Sequence, residues 1–172
     1  MSSENAIETA RLLNQIKPDF IRVRTFAMHP MSPMQKLVED GTFVVMNDAE
    51  IVAEIRLLVE NLDEMHTYFS CGDFSLNLLM QVDGYLDEKK AYMLSELDRF
   101  LALTSEQQKA YALIRRSSYM QYPLEAAENE DLLSRIRPEI EKLEKDDPEG
   151  FYKYIETLKS YQLPQPQTEE WK

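Results

Sequence analysis

Residues 19–43 read DFIRVRTFAMHPMSPMQKLVEDGTF, and their reading decides the fold class. Phe20, Ile21, Val23 and Phe26, with arginines at 22 and 24 between them, alternate as a short strand does. Pro30 and Pro33 then punctuate the chain, and a brief helix from about Met34 to Asp40 ends at Gly41. Upstream, residues 3–16 open on Ser3 and carry a helical apolar pattern. Pro18 disfavours helix at Lys17 and so marks its end. Downstream, Asn47 or Asp48 can cap a helix in AEIVAEIRLLVENL, where Ile51, Ile55, Leu58 and Leu62 fall at helical spacing. MHTYFSC, broken by Gly72, is a second strand. Strand, helices and strand across residues 19–70 make a βαβ pattern, a parallel pair with a crossover.

After Gly84 the character changes. Residues 87–103, 105–120, 126–145 and 148–161 are four consecutive helical patterns, with Thr104 or Ser105, Asn129 and Asp147 near helix starts. Pro138 lies inside the third, which predicts a kink or a fresh start there. The tail QLPQPQTEEWK is Pro/Gln-rich and reads as extended. The expected class is a helix-rich α/β fold in three parts. Residues 1–84 form a βαβ fragment, 85–161 a helical C-terminal region and 162–172 a Pro/Gln-rich tail. A parallel pair needs cover on both faces and further strands beside it. The expectation is therefore a fragment of a partial parallel (β/α) barrel with a C-terminal helical extension, its missing strands supplied by another chain, by another copy, or by nothing if the chain is truncated.

Composition narrows the function. The chain has 172 residues, 44 % of them apolar, enough for a real core. Its net charge of −12 repels phosphate backbones, so nucleic acid is not expected as a partner. No apolar run approaches the ~20 residues that cross a bilayer. The first residues, MSSENAIETA, lack the basic and apolar regions of a secretory signal, so the expected location is the cytoplasm, away from membranes. The single cysteine, Cys71, can form no internal disulfide and no all-cysteine metal site.

Residues 10–62, and then HTYFSCGDFSLNLLMQVDGYLDEKKAYMLSELDRFLAL, carry a resemblance. Together they resemble the late barrel region of one subgroup of radical SAM proteins. There a strand of the form I-R-L-R-T-L leads to P-G-T-P-L, a helix, a G-x-F turn and a long helix. A further strand leads to S-D-H-x-x-N, then G-x-L-P-x-D-K and a helix ending D-x-F-L. The resemblance covers roughly residues 10–103. It implies a partial (β/α) barrel that binds a 4Fe–4S cluster and S-adenosylmethionine. The cluster's C-x-x-x-C-x-x-C triplet has no counterpart in this sequence, nor has a glycine-rich stretch against the cofactor. Within the matched motifs Met31 stands for the glycine, Phe74 for the histidine, and Asp87-Glu88 has lost the usual proline. The chain alone is expected to hold neither cofactor; both would require a cluster-binding N-terminal part.

Five residues mark the edge of the pocket that the resemblance implies: Arg24, His29, Ser70, Asp73 and Asn77. Four of them have a plainer reading. Arg22 and Arg24 share a strand face and could grip a carboxylate or pair with acidic residues of a covering helix. His29 is a loop histidine beside Pro30. Asp73 and Asn77, four apart, could cap a helix and satisfy a loop carbonyl. Cys71, beside Ser70, would need a neighbouring base to become a nucleophile, and no histidine lies near it in sequence. His66 starts the second strand at the opposite edge and reads as structural. Arg115 and Arg116, late in a helix, suit its dipole.

The functional expectation is the C-terminal segment of a radical SAM-like protein. It is not catalytically competent alone and acts as scaffold or substrate-side part of a larger barrel. It would meet a protein partner, or another copy of itself, through an open sheet edge. The alternative is a non-enzymatic acidic helical adaptor with Met- and Tyr-rich faces.

Overall fold

The computed structural model describes residues 2–29, 31–71, 79, 81–117 and 123–161. Among them the helices are α1 (Ser2–Ile16), α2 (Met34–Glu39), α3 (Asp48–Asn61), α4 (Leu86–Leu101), α5 (Ser105–Ser117), α6 (Pro123–Glu128), α7 (Glu130–Glu144) and α8 (Gly150–Tyr161). The strands are β1 (Phe20–Arg22), β2 (Tyr68–Ser70) and β3 (Asp83–Tyr85). The class is helix-rich α/β, built on a small mixed sheet in the order β1-β2-β3.

β1 and β2 pair in parallel, with Ile21 opposite Phe69, across the α2–α3 crossover. The pairing is anchored at both ends. Tyr68 N–H donates to Asp19 O, Val23 N–H donates to Ser70 O, and the buried Thr67 hydroxyl donates to Pro18 O at 2.6 Å. The strand is shorter than the alternation over 20–26 predicts. Beyond Arg22 the last bond across to β2 is that of Val23 N–H to Ser70 O, while Cys71 N–H donates on the other side to Val82 O, just before β3.

β3 is an addition that the sequence reading lacks. It runs antiparallel to β2, and Gly84, where the sequence changes character, sits at its centre opposite Phe69. A strand of three residues around a glycine reads locally as a turn; here cross-strand pairing makes it a strand. Gly84 has φ +141, a conformation that residues with a Cβ rarely adopt, so the backbone rather than the movable Lys89 side chain beside it favours glycine here.

The two sheet faces differ. Ile21 and Phe69 point into a buried cluster with Ala10 of α1, Val52 and Val59 of α3, and Leu97 of α4. Side chains alternate along a strand, so the opposite face carries two rows. Phe20, Tyr68 and Tyr85 form one and Arg22, Ser70 and Asp83 the other, all exposed or half-buried. Phe20 stacks on Tyr68 at 5.8 Å, Tyr85 meets Tyr68 edge-on at 5.2 Å, and His66 stacks on Tyr85 at 4.4 Å.

Helices α5, α7 and α8 close a second cluster around Ala112, Leu133, Ile140, Phe151 and Ile155. α5 belongs to both, because Tyr111 packs into the first cluster with its ring edge-on to Phe100 at 5.0 Å. Two features of α7 bear on the sequence reading. α7 passes through Pro138 with no second start; Leu133 and Ile140 anchor its two halves in one core, and Arg137 beside the proline clasps Glu106. Asn129 stands at a helix start as expected: its side chain caps α7 by accepting from Leu132 N–H at 3.1 Å, and residues 126–128 belong to the separate α6.

Candidate functional site

The start of α3 positions the most unusual group of side chains. Asn47 caps the helix with a reciprocal box: Glu50 N–H donates to Asn47 Oδ1 at 3.0 Å, and Asn47 N–H donates to Glu50 Oε2 at 2.8 Å. That fixes Asp48 as the first helical residue. Arg116, from α5, donates to both of its oxygens, Nη1 to Oδ2 at 2.7 Å and Nη2 to Oδ1 at 2.8 Å. Lys159, from α8, brings its Nζ to 3.4 Å from Asp48 Oδ1 and donates to Glu156 Oε1 at 2.6 Å.

The two cations are buried, the side chains of Arg116 and Lys159 being 4 % and 1 % exposed, while Asp48 is 13 % and Glu156 31 % exposed. Two cations and two carboxylates meet where α3, α5 and α8 converge. Burial raises the cost of leaving any one of them alone, and the fork of Arg116 supplies the strongest pairing geometry for a carboxylate. One acceptor is left over. Glu156 Oε2 is sealed from solvent and has no donor among the described residues.

Sequence reasoning took Asp48 as a candidate cap and Arg116 as a partner of its own helix dipole, and so missed the cluster. A signal was present. Phe151, Ile155 and Lys159 lie four apart on one stripe of α8, and a lysine on a buried stripe demands a carboxylate from elsewhere.

A cleft of about 690 Å³ opens beside this cluster, between the chain at 38–50 and α8. Phe43, Val44, Met46, Tyr152 and Ile155 supply apolar wall, while Asp48, Glu156 and Lys159 stand at its polar side. An apolar concavity of a few hundred Å³ with a few convergent polar groups suits a small organic molecule. On the other side of the 42–46 segment lies a second cavity, of about 670 Å³, lined by Val23–Phe26 at the exit of β1, by α1 and by α3.

The residues singled out from sequence are dispersed. Arg24 lines this second cavity. The His29 ring turns back on its own loop, where its Nδ1 accepts from Met31 N–H at 3.1 Å. The Ser70 hydroxyl donates to Asp83 Oδ2 at 2.9 Å on the open face of the sheet. Asp73 and Asn77 lie outside the described residues. His66 Nδ1 lies 3.0 Å from Asp87 Oδ2.

Cys71 is 1 % exposed, and burial, with a smaller contribution from the charge of Asp83, pushes its thiol up to about 12. Iron is bound by thiolate, and a cluster takes several. One buried neutral thiol does not fit that role, and no three His, Cys, Asp or Glu side chains among the described residues could together hold a metal ion. No described helix is long and apolar enough to cross a membrane. Comparison with protein-family models, with curated proteins and with solved structures finds no match for this chain.

Proposed function

We propose that this chain is the late part of a (β/α) barrel of the radical SAM kind, serving as scaffold and substrate-side wall rather than as a self-sufficient catalyst. The observation that carries the reading is the one-sided cover of the sheet among the described residues. In a (β/α) barrel the helices lie outside and the opposite strand face lines the interior. Here α1, α3 and α4 share a core with Ile21 and Phe69, while the aromatic and polar rows from Phe20 to Asp83 are left on the other face. The parallel β1–β2 pair, which in general is covered on both faces, points the same way.

On this reading the rows contribute recognition. Arg22, Ser70 and Asp83 provide hydrogen-bonding groups, and Phe20, Tyr68 and Tyr85 a stacking surface. The cluster and S-adenosylmethionine would come with a separate cysteine-bearing part. Met31, 71 % exposed where the resembling motif has glycine, stands against close approach of a cofactor to that backbone.

The test is reconstitution of the purified chain with iron and sulfide under reducing conditions. The expected result is no iron–sulfur absorbance and no cleavage of S-adenosylmethionine. A cluster spectrum together with cleavage would overturn the proposal.

A further inference from the structure

The two cavities share a wall. The cleft beside α8, of about 690 Å³, and the cavity at the exit of β1, of about 670 Å³, are both lined by Phe43, Val44, Val45 and Met46. The chain between α2 and α3 is thus a single strand of backbone with open space on either side. Its ends are fixed. Phe43 N–H donates to Leu37 O at 2.7 Å, and the Phe43 ring meets that of Phe26 edge-on at 5.4 Å. Four residues on, the reciprocal box of Asn47 and Glu50 holds the start of α3.

Between these anchors Val44, Val45 and Met46 make no hydrogen bond among the described residues. No directional contact therefore ties the three to one place, and a segment with few such contacts belongs to the mobile end of a structure. Val44 is 77 % exposed, although apolar surface stands on both sides of it. Tyr152 and Ile155 of α8 line one cavity, Ala6 of α1 and Val23 the other. A move toward either wall takes valine surface out of water. Space gained on one side is lost on the other, so the two positions exclude each other.

We propose that residues 44–46 form a strap, hinged at Phe43 and Asn47, that swings between α8 and α1 and closes one cavity as it widens the other. Whatever fills one cavity then acts on the second through the strap, with the helices unmoved. Such a link requires only a short segment with two positions of similar free energy.

The experiment follows the methyl groups of Val44 and Val45 by NMR in the full chain. In the unaltered protein they should show nuclear Overhauser contacts both to the Tyr152 ring and to the Ala6 methyl. Substitutions at exposed positions of opposite walls then push in opposite directions. Thr9→Trp crowds the cavity beside α1 and should shift the ratio of the two contacts toward Tyr152 by about twofold or more. Glu149→Trp crowds the cleft beside α8 and should shift it toward Ala6 by a similar factor. Far-UV circular dichroism identifies the folded variants, and one is enough, because the direction expected of each is fixed in advance. Contacts to a single wall in the unaltered protein, or a ratio that a folded variant leaves unmoved or moves the other way, would overturn the proposal.

Discussion

At the scale of single residues, the structure turns on charges placed where water is absent. Removing Arg116 leaves Asp48 with Lys159 alone, at 3.4 Å, in place of a two-pronged partner, so Arg116→Met should destabilise the fold by about 3 kcal/mol, measured by urea unfolding. Arg116→Lys keeps the charge but loses the fork onto Asp48 and should fall between the two. Cys71 makes a prediction in pH. Its raised pKa means that the fold prefers the neutral thiol. The resulting stability is complete below about 9 and is lost as pH climbs toward about 12, and urea midpoints across that range should fall accordingly. The same burial should keep Cys71 unreactive toward a thiol reagent until the protein unfolds. How far such sites are legible depends on how local they are. An inert Cys71 follows from a lone cysteine in an apolar strand. Asp48 and Arg116 stand 68 residues apart, and each has a sufficient local explanation, so nothing near either one announces the other.

At the scale of elements, caps and pairing explain what was visible and what was not. The box at Asn47 and Glu50 is a pattern of neighbours, and α3 begins where it predicts. Asn47→Ala should cost about 1 kcal/mol, read from thermal or urea unfolding. Lys17 ends α1 with φ 50, a left-handed conformation held between Leu13 O, to which its N–H donates, and Pro18. Glycine adopts it without Cβ strain, so Lys17→Gly should stabilise by up to about 1 kcal/mol. β3 shows the opposite case. Its residues have weak strand character and exist as a strand because Tyr68 and Ser70 supply partners. Pro138 warned of a break in α7, but packing on both sides of it outweighs the lost hydrogen bond.

At the scale of the whole molecule, α5 joins two clusters through adjacent residues, Tyr111 to one and Ala110 and Ala112 to the other. Unfolding should accordingly be one transition, with near- and far-UV circular dichroism coinciding; two resolved steps would show the clusters to be independent. The sheet makes a second prediction. β1 is the first strand in the order, and the N–H groups of Ile21 and Val23 face β2, so alternation turns that of Phe20 toward the outer edge. An exposed edge recruits another strand. Light scattering should give a mass above the 20.2 kDa monomer, and Phe20→Pro, a substitution tolerated at a strand's first residue, should restore the monomer. The parallel pair was legible because the crossover helices announce it. The one-sided cover was not, since it depends on which helices return to the sheet.

The meeting of Asp48, Arg116 and Lys159 also has a consequence in time. Its members come from helices far apart in sequence, so the contact closes only after the long intervening loops are already ordered. An interaction formed on the native side of the barrier sets the lifetime of the folded state rather than the speed of reaching it. In stopped-flow mixing, Arg116→Met should leave the refolding limb near that of the unaltered protein and lift the unfolding limb. The cluster thus acts as a latch: it contributes little to finding the fold and much to how long the fold persists.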